Sequence, residues 1–220
     1  MSKINSINNS TESLSIDPGA SDSYTQFSIN ATPKFIIGVD NTDDSFCISQ
    51  GSSLGTNDCL KIYPTGEMIQ PLQSSFCGVL TSTLSNVTGD NNTYNIPIDS
   101  EIWDQNSDFN TTTGVFTAPQ TGKYLFCATI SYDDLTTSYE AIFNDFNSSN
   151  RVARMWCLNN IGGSGIFTNE CTLVGSVILD MDASDVCRLR TRVYGGTRTV
   201  DIYSSGGTDL ETSFSGCLIC

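Results

Sequence analysis

Short segments in which apolar residues recur at every second position are the feature that most constrains the fold of this chain. They are bounded by Gly, Asn, Asp and Pro, which favour turns and interrupt regular structure. Spacing two places hydrophobic side chains on one face of a strand, whereas an amphipathic helix needs spacings of three and four. No long stretch of the sequence has the helical spacing. The pattern therefore predicts an all-β protein.

The distribution of these segments predicts three parts. Residues 1–23 are polar and form a flexible or partner-docked arm. Residues 24–73 form a short β-rich stalk, which buries too little apolar surface to be stable without the head or further copies of itself. Residues 74–220 form a head of about ten strands. The predicted strands, stalk first, are Tyr24–Ile29, Phe35–Val39, Phe46–Ser49, Leu60–Tyr63, Ser75–Leu84, Tyr94–Ile98, Gly114–Thr117, Gly122–Tyr132, Tyr139–Phe143, Val152–Leu158, Cys171–Leu179, Val186–Tyr194, Val200–Ser204 and Glu211–Ile219.

Charge and the lack of histidine exclude several classes of function. The chain has 24 acidic and 10 basic residues and a net charge of -14. Such a surface repels phosphate backbones and anionic lipid, so neither nucleic acid nor a membrane is an expected partner. No stretch approaches the ~20 apolar residues of a membrane span. Histidine-based triads and metal sites are excluded because the sequence has no histidine.

Closely spaced carboxylates are the remaining candidates for chemistry. They occur at Asp43-Asp44, Asp133-Asp134 and Asp180-x-Asp182-x-x-Asp185. Paired carboxylates cleave glycosidic bonds in some enzymes, but none of these stands in a recognisable catalytic setting. Solvated turns are the expected role, and no enzyme activity is predicted. Calcium is the alternative for the last three residues, because hard cations bind several oxygen ligands from flexible loops. No other cofactor is expected.

Nine cysteines are scattered through strand-like segments. An odd number in such positions is a poor disulfide framework, so most are expected to be reduced and buried as small hydrophobic residues. Cys217 and Cys220 form the one C-x-x-C pair. Residues three apart on a strand face opposite sides, so this pair is a poor candidate for a metal or redox site.

The segment from 104 to 128 has a regular spacing of aromatic residues and glycine after an aspartate, at Asp104, Phe109, Phe116, Gly122, Tyr124 and Phe126. This spacing resembles the signature of the C1q globular-head family, which shares its fold with the tumour necrosis factor family. Ile98 and Ala128 stand where the family has aromatic residues. The segment Thr212–Ile219 is similar to the family's last strand, with Cys217 in place of an aromatic residue. The resemblance implies a ten-stranded C1q/TNF-like jelly roll at residues 74–220, which associates as a homotrimer and uses these aromatic residues as core.

Residues 35–67 resemble the β-rich segments that precede head domains in phage tail fibres. The two resemblances, together with an N-terminus unlike a signal peptide, predict a trimeric virion-associated fibre or surface-display protein, made in the host cytoplasm and used for host attachment or decoration. A cellular C1q-like ligand or lectin-like binding module is the alternative. A glycan hydrolase carried on a fibre is a third hypothesis.

Partners are predicted for each part of the chain. The arm is expected to dock onto another virion protein, and the head to bind itself and a host-surface glycan or protein. Binding is expected in the polar loops Asp133–Ser138, Asn144–Asn150 and Asn159–Gly165. Six of the ten basic residues lie in the second half of the head and are candidates for contact with an anionic glycan, with exposed strand charges as the alternative. They are Arg151, Arg154, Arg188, Arg190, Arg192 and Arg198.

Overall fold

A computed structural model describes residues 19–87, 91–133, 135, 141–159, 170–194, 199–206 and 209–220, with the backbone alone for 156–159. The chain divides into two compact units, residues 1–72 and 73–220. All of the regular structure in these ranges is β. No helix that could cross a membrane occurs in the described ranges.

The N-terminal unit is an antiparallel meander in which five consecutive strands pair in chain order. The strands are β1 Ser23–Ile29, β2 Thr32–Asp40, β3 Ser45–Gln50, β4 Asp58–Ile62 and β5 Met68–Ile69. The β1–β2 turn is a two-residue connection at Asn30 and Ala31, both with positive φ, which matches the twist of a tight hairpin. The four predicted strands are therefore confirmed, and a short fifth strand follows the Pro64–Gly66 turn.

This unit has a very small core on one face of its sheet. Ile36, Cys47 and Leu54 are the buried hydrophobic residues of the cluster. Beside them the buried Asp58 carboxylate accepts hydrogen bonds from Ser49 Oγ at 2.5 Å and from the Gly55 amide at 3.0 Å. Three buried apolar side chains stabilise a sheet poorly, so the unit needs additional contacts for its other face.

The C-terminal unit consists of two facing antiparallel sheets. Its strands are β6 Ser75–Val79, β7 Leu84–Val87, β8 Thr93–Asn95, β9 Ser100–Asp104, β10 Phe109–Asn110, β11 Val115–Thr117, β12 Gly122–Asp133, β13 Ala141–Ser148, β14 Val152–Asn159, β15 Cys171–Met181, β16 Val186–Tyr194, β17 Val200–Ile202 and β18 Ser213–Leu218. The first sheet has the order β7-β17-β12-β18-β6-β9, with β15 on the other side of β12. The second has the order β10-β11-β16-β13-β14, with β8 also paired to β16.

The eight principal strands of this unit are divided between the two sheets as in a double Greek key. The first sheet contains β6, β18, β12 and β15 as neighbours, which are the first, eighth, third and sixth of the eight. The second contains β11, β16, β13 and β14, which are the second, seventh, fourth and fifth. Two interlocked Greek keys define a jelly roll. The remaining short strands extend the edges of the sheets.

Stacked aromatic rings fill the space between the two sheets. Phe76 stacks on Phe109 and Phe116 with ring centroids 4.7 and 4.9 Å apart, and Phe126 stacks on Phe214 at 5.6 Å. All five rings are buried. The resemblance assigned Phe109, Phe116 and Phe126 to the core, and the structure confirms that role. Each fully buried ring contributes on the order of 2–3 kcal/mol to stability.

Asp104, the first residue of the C1q-like signature, has a structural function that depends on its spacing from Phe109. Both carboxylate oxygens of Asp104 accept backbone hydrogen bonds, from the amide of Asp108 at 3.0 Å and from that of Phe109 at 2.8 Å. The carboxylate therefore closes the turn between β9 and β10 and fixes the entry of Phe109 into the core.

Two predictions for the head are clearly wrong, and a third predicted strand, Tyr94–Ile98, extends only to Asn95. Ser75–Leu84 was expected to be one strand, but it ends at Val79, and Leu84 begins a different strand that pairs with β17. The segment Asn144–Asn150 was expected to be a loop, but residues 141–148 form β13. Asn144 is buried and accepts a hydrogen bond from the Tyr132 hydroxyl at 2.5 Å, so tertiary contacts override the turn preference of asparagine.

Candidate binding surfaces

The outer face of the first sheet is apolar and uncharged at its centre. The side chains of β12 alternate, so that Leu125 and Cys127 point away from the core. One row across the sheet pairs Cys217, Leu125 and Ile178, and a second pairs Trp103 with Cys77. Together with Val174, these residues define what we call the association face. Trp103, Val174 and Ile178 are 50, 60 and 59% exposed, which is unusual for large apolar side chains.

Three thiols lie within the association face. Ser215 pairs with Cys77 on one side and with Cys127 on the other, and Cys217 follows two residues later on the same side of β18. Cys127 is exposed, Cys217 is half-buried and Cys77 is buried. Trp103, Leu125, Cys127 and Cys217 line a depression of about 210 Å³. The association face therefore contains a depression into which apolar side chains can pack.

The described cysteines are less buried than expected. Of the eight that the structure describes, all are free, and only Cys47, Cys77 and Cys187 are buried. The expectation that most are buried is therefore wrong, because several occupy outward-facing strand positions. Cys217 and Cys220 are both free thiols; Cys217 lies on β18, and the Cys220 carbonyl accepts a hydrogen bond from the Lys123 amide.

The N-terminal unit has an apolar face of its own. Its register aligns nine apolar residues of β1–β5 on the side of the sheet opposite to the small core. They are Phe27, Phe35, Ile37, Val39, Phe46, Ile48, Leu60, Ile62 and Met68, which we call the stalk face. Phe27 and Met68 are 55 and 64% exposed. A continuous exposed apolar surface of this kind is typical of protein–protein contact.

The outer face of the second sheet is basic. Arg188, Arg190 and Arg192 occupy alternate positions on β16, where their side chains are half-buried on the side away from the core. The register places Arg190 beside Asp145, and Asp145 beside Arg154 on β14. These four arginines form what we call the arginine ladder. Successive steps along β16 are about 7 Å apart, since a strand rises about 3.4 Å per residue.

Asp145 and two aromatic rings hold the ladder in place. The Asp145 carboxylate, which is largely buried, lies 3.1 Å from Arg154 Nε and 3.4 Å from an Arg190 terminal nitrogen. The Arg154 guanidinium lies 4.2 Å from the centroid of the Phe143 ring, and that of Arg192 lies 5.2 Å from the centroid of the Tyr194 ring. Cation–π contacts and the ion pairs fix the planes of these guanidinium groups.

The predicted calcium ligands are not brought together as a group of three. Asp180 is exposed near the end of β15, and Asp185 lies in the following turn. Asp185 Oδ2 accepts hydrogen bonds from the Asp182 amide at 3.0 Å and from the Asn150 side chain at 2.8 Å. In the ranges that the structure describes, no three acidic or thiol groups are placed to hold a metal. Calcium binding at this turn stays a prediction.

The other predicted contact residues are distributed unevenly. Arg151 lies in the turn between β13 and β14, beyond the end of the ladder, and Arg198 lies outside the described residues. The loop Asn159–Gly165 lies outside them except for the backbone of Asn159, and the loop Asp133–Ser138 is described only at Asp133 and Leu135. Of the predicted arginines that the structure describes, Arg154, Arg188, Arg190 and Arg192 lie together on one face of the second sheet.

Sequence reasoning missed the association face and the stalk face as surfaces. The signal was present in β12, where Leu125 alternates with the core residues Tyr124 and Phe126 as an apolar residue at an outward position. In the stalk the corresponding signal lies in the segment Phe35–Val39. Phe35, Ile37 and Val39 are apolar on one face of the strand, and Ile36 is apolar on the other. A strand that is apolar on both faces is covered on both faces in the folded assembly.

No protein-family model matches the sequence, and no curated protein matches it. Similar solved structures are the globular domain of zebrafish complement 1qA protein, murine APRIL and Eiger TNF from S. frugiperda, with 17, 9 and 15% identity. Each match covers 67% of this chain, and 96, 99 and 91% of the respective structures, with TM-scores of 0.42, 0.46 and 0.44. As its double Greek-key strand order shows, the C-terminal unit is a jelly roll, which is the fold that the sequence resemblance implied.

Proposed function

We propose that this chain is a homotrimeric display protein of a virus particle, in which the jelly roll is an attachment or decoration head. The association face is the observation that carries the proposal. Its two central rows contain no charged residue, although the chain has a net charge of -14. On an otherwise acidic protein, a surface without charged residues is typical of one that a binding partner covers. The C1q-like resemblance favours further copies of the same chain as the partner that covers the association face.

The N-terminal unit supports the same assembly. The stalk face is apolar across all five strands, while the opposite face buries only three apolar side chains in its core. The packing of three stalk faces against one another would remove Phe27, Phe46 and Met68 from water. In a closed trimer with threefold symmetry, every copy makes the same contacts and no apolar contact surface is left unpaired.

The mass of the purified protein in solution tests the trimer. We expect multi-angle light scattering at micromolar concentration to give three times the 23.8 kDa of the chain. The value should persist on dilution, because a large apolar contact dissociates slowly. A monomeric mass across this concentration range would contradict the proposal.

The N-terminal arm is the part that we assign to docking on the particle. The Asp22 carboxylate accepts a hydrogen bond from the Asn41 amide at 3.0 Å, and β1 begins at Ser23. A deletion of the whole predicted arm, residues 1–23, would remove both, whereas a deletion of residues 1–18 leaves them in place. We expect the chain without residues 1–18 to remain trimeric but to be absent from purified particles, as measured by quantitative mass spectrometry.

The full-length chain expressed in parallel is the control for particle incorporation. Equal occupancy of the particle by both forms would show that the arm is not the anchor. A trimer that is absent from particles even at full length would favour the alternative, a cellular C1q-like ligand or lectin-like module.

A further inference from the structure

The positive charge of the arginine ladder exceeds the negative charge of the residues that pair with it across the second sheet. Three registered rows cross the second sheet, namely Asn95–Arg190–Asp145–Arg154, Thr93–Arg192–Phe143–Cys157 and Val115–Arg188–Asn147–Val152. Asp145 is the one acid in these rows, and it faces Arg190 and Arg154. Within these rows four guanidinium groups face one carboxylate, which is an excess of three positive charges in an otherwise acidic protein.

Hydrogen bonding shows the same deficit. Nε of Arg188, Arg190 and Arg192 is buried and has no hydrogen-bond partner. Like charges at alternate positions of one strand repel, and a buried N–H without an acceptor costs free energy. Anionic oxygen atoms bound to the exposed edges of these guanidinium groups would relieve the like-charge repulsion, because guanidinium pairs with carboxylate and sulfate in planar, two-bond contacts.

We propose that the arginine ladder binds an anionic polysaccharide, with acidic groups of the polymer following β16. The step of about 7 Å between arginines suits a linear chain with repeated charges. The exposed Thr93 and Asn95 border the ladder on β8 and offer hydrogen bonds to sugar hydroxyls. The ladder lies on the sheet opposite to the association face, so a trimer built through that face leaves it accessible. The proposal names a ligand for the attachment role proposed above and rests on that role for its biological setting.

Direct titration of the full-length protein tests the ladder. The probes are dextran sulfate, polygalacturonate, uncharged dextran and a DNA duplex, each titrated at the same ionic strength by calorimetry. We expect one or both anionic polysaccharides to bind, uncharged dextran not to bind, and DNA to bind more weakly per charge because the remaining surface is acidic. Absence of binding to both anionic polysaccharides, or equal binding of uncharged dextran, would overturn the proposal. Tighter binding of DNA would assign the face to nucleic acid instead.

Single substitutions locate the site. Arg188→Gln and Arg192→Gln should each weaken polysaccharide binding about tenfold, whereas Arg192→Lys, which keeps the charge but loses the planar fork, should weaken it about threefold. Lys34→Gln removes one positive charge from an exposed position of the N-terminal unit and should change binding less than twofold. Equal losses in Lys34→Gln and the arginine variants would overturn the ladder as the site.

Two further measurements separate this proposal from a structural role and from the proposed trimer. Arg188→Gln should not lower the unfolding temperature, because it removes like-charge repulsion; a fall of several degrees would assign Arg188 to stability. The mass of each variant by light scattering should equal that of the unsubstituted protein. A monomeric protein that still binds through the ladder would leave this proposal standing while the trimer fails.

Discussion

Leu125→Glu is expected to convert the proposed trimer into a monomer. Leu125 lies on the central strand β12 between Cys217 and Ile178, with its side chain on the outer face of the first sheet. In a single chain the carboxylate would remain in water and the fold would be intact. In the assembly it would be buried without a partner, which costs several kcal/mol for each copy. Light scattering should give one third of the mass of the unsubstituted protein.

The control for this variant makes the same chemical change at a different surface. Val152→Glu places the new carboxylate on β14, where Val152 is 54% exposed on the second sheet. This variant should keep the full mass. A trimeric Leu125→Glu protein, or equal dissociation of both variants, would show that the association face is not the contact between copies.

Thiol alkylation gives a second measurement of the dissociation that Leu125→Glu is expected to cause. Cys127 is exposed in the single chain and lies in the association face, so iodoacetamide should modify it slowly in the trimer and quickly in Leu125→Glu. Cys187 is the internal reference, because burial raises the pKa of its thiol to about 12. At pH 8 almost none of it is thiolate, so it should stay unmodified in both proteins. Rapid modification of Cys127 in the trimer would contradict its place in a contact between copies.

Phe126→Ala should lower the free energy of unfolding by about 3–5 kcal/mol, the cost of an aromatic residue removed from a packed core. The Phe126 ring is fully buried and contacts the rings of Phe116 and Phe214 at centroid distances of 5.4 and 5.6 Å. Chemical denaturation in the monomeric Leu125→Glu background measures this loss without a contribution from subunit association. Leu210→Ala, at a residue 52% exposed, is the matched control and should change stability by less than about 0.5 kcal/mol.

A double-mutant cycle with Gly216 tests the packing that this prediction assumes. A Cβ atom at Gly216 would lie 2.6 Å from Cδ1 of Phe126 and 2.8 Å from Cε1 of Phe76. Gly216→Ala should therefore be destabilising alone and less so in the Phe126→Ala protein, where part of the space is free. Strict additivity of the two losses would show that the ring and the glycine do not contact each other.

Local sequence determined the fold class and most of the strands. Alternation fixes which face of β12 and β16 enters the core, because neighbouring strand residues point to opposite sides of a sheet. The resemblance of the segment from Phe109 to Phe126 to the C1q signature implied a jelly roll with these aromatic residues in its core, and Phe109, Phe116, Tyr124 and Phe126 are buried in the structure. The excess of arginine in the second half of the head is likewise a property of the sequence alone.

Tertiary structure alone decided which residues form each surface. Asn144 has a turn-forming side chain, yet it lies within β13 because Tyr132 supplies its hydrogen bond from the opposite sheet. The ladder exists because β13 and β14 bring Asp145 and Arg154 beside β16 in register. Cys77, Cys127 and Cys217 share one face only because β6, β12 and β18 are neighbours in the first sheet. Such pairings join residues that are far apart in the chain, and their register depends on the contacts of the whole fold rather than on any local pattern.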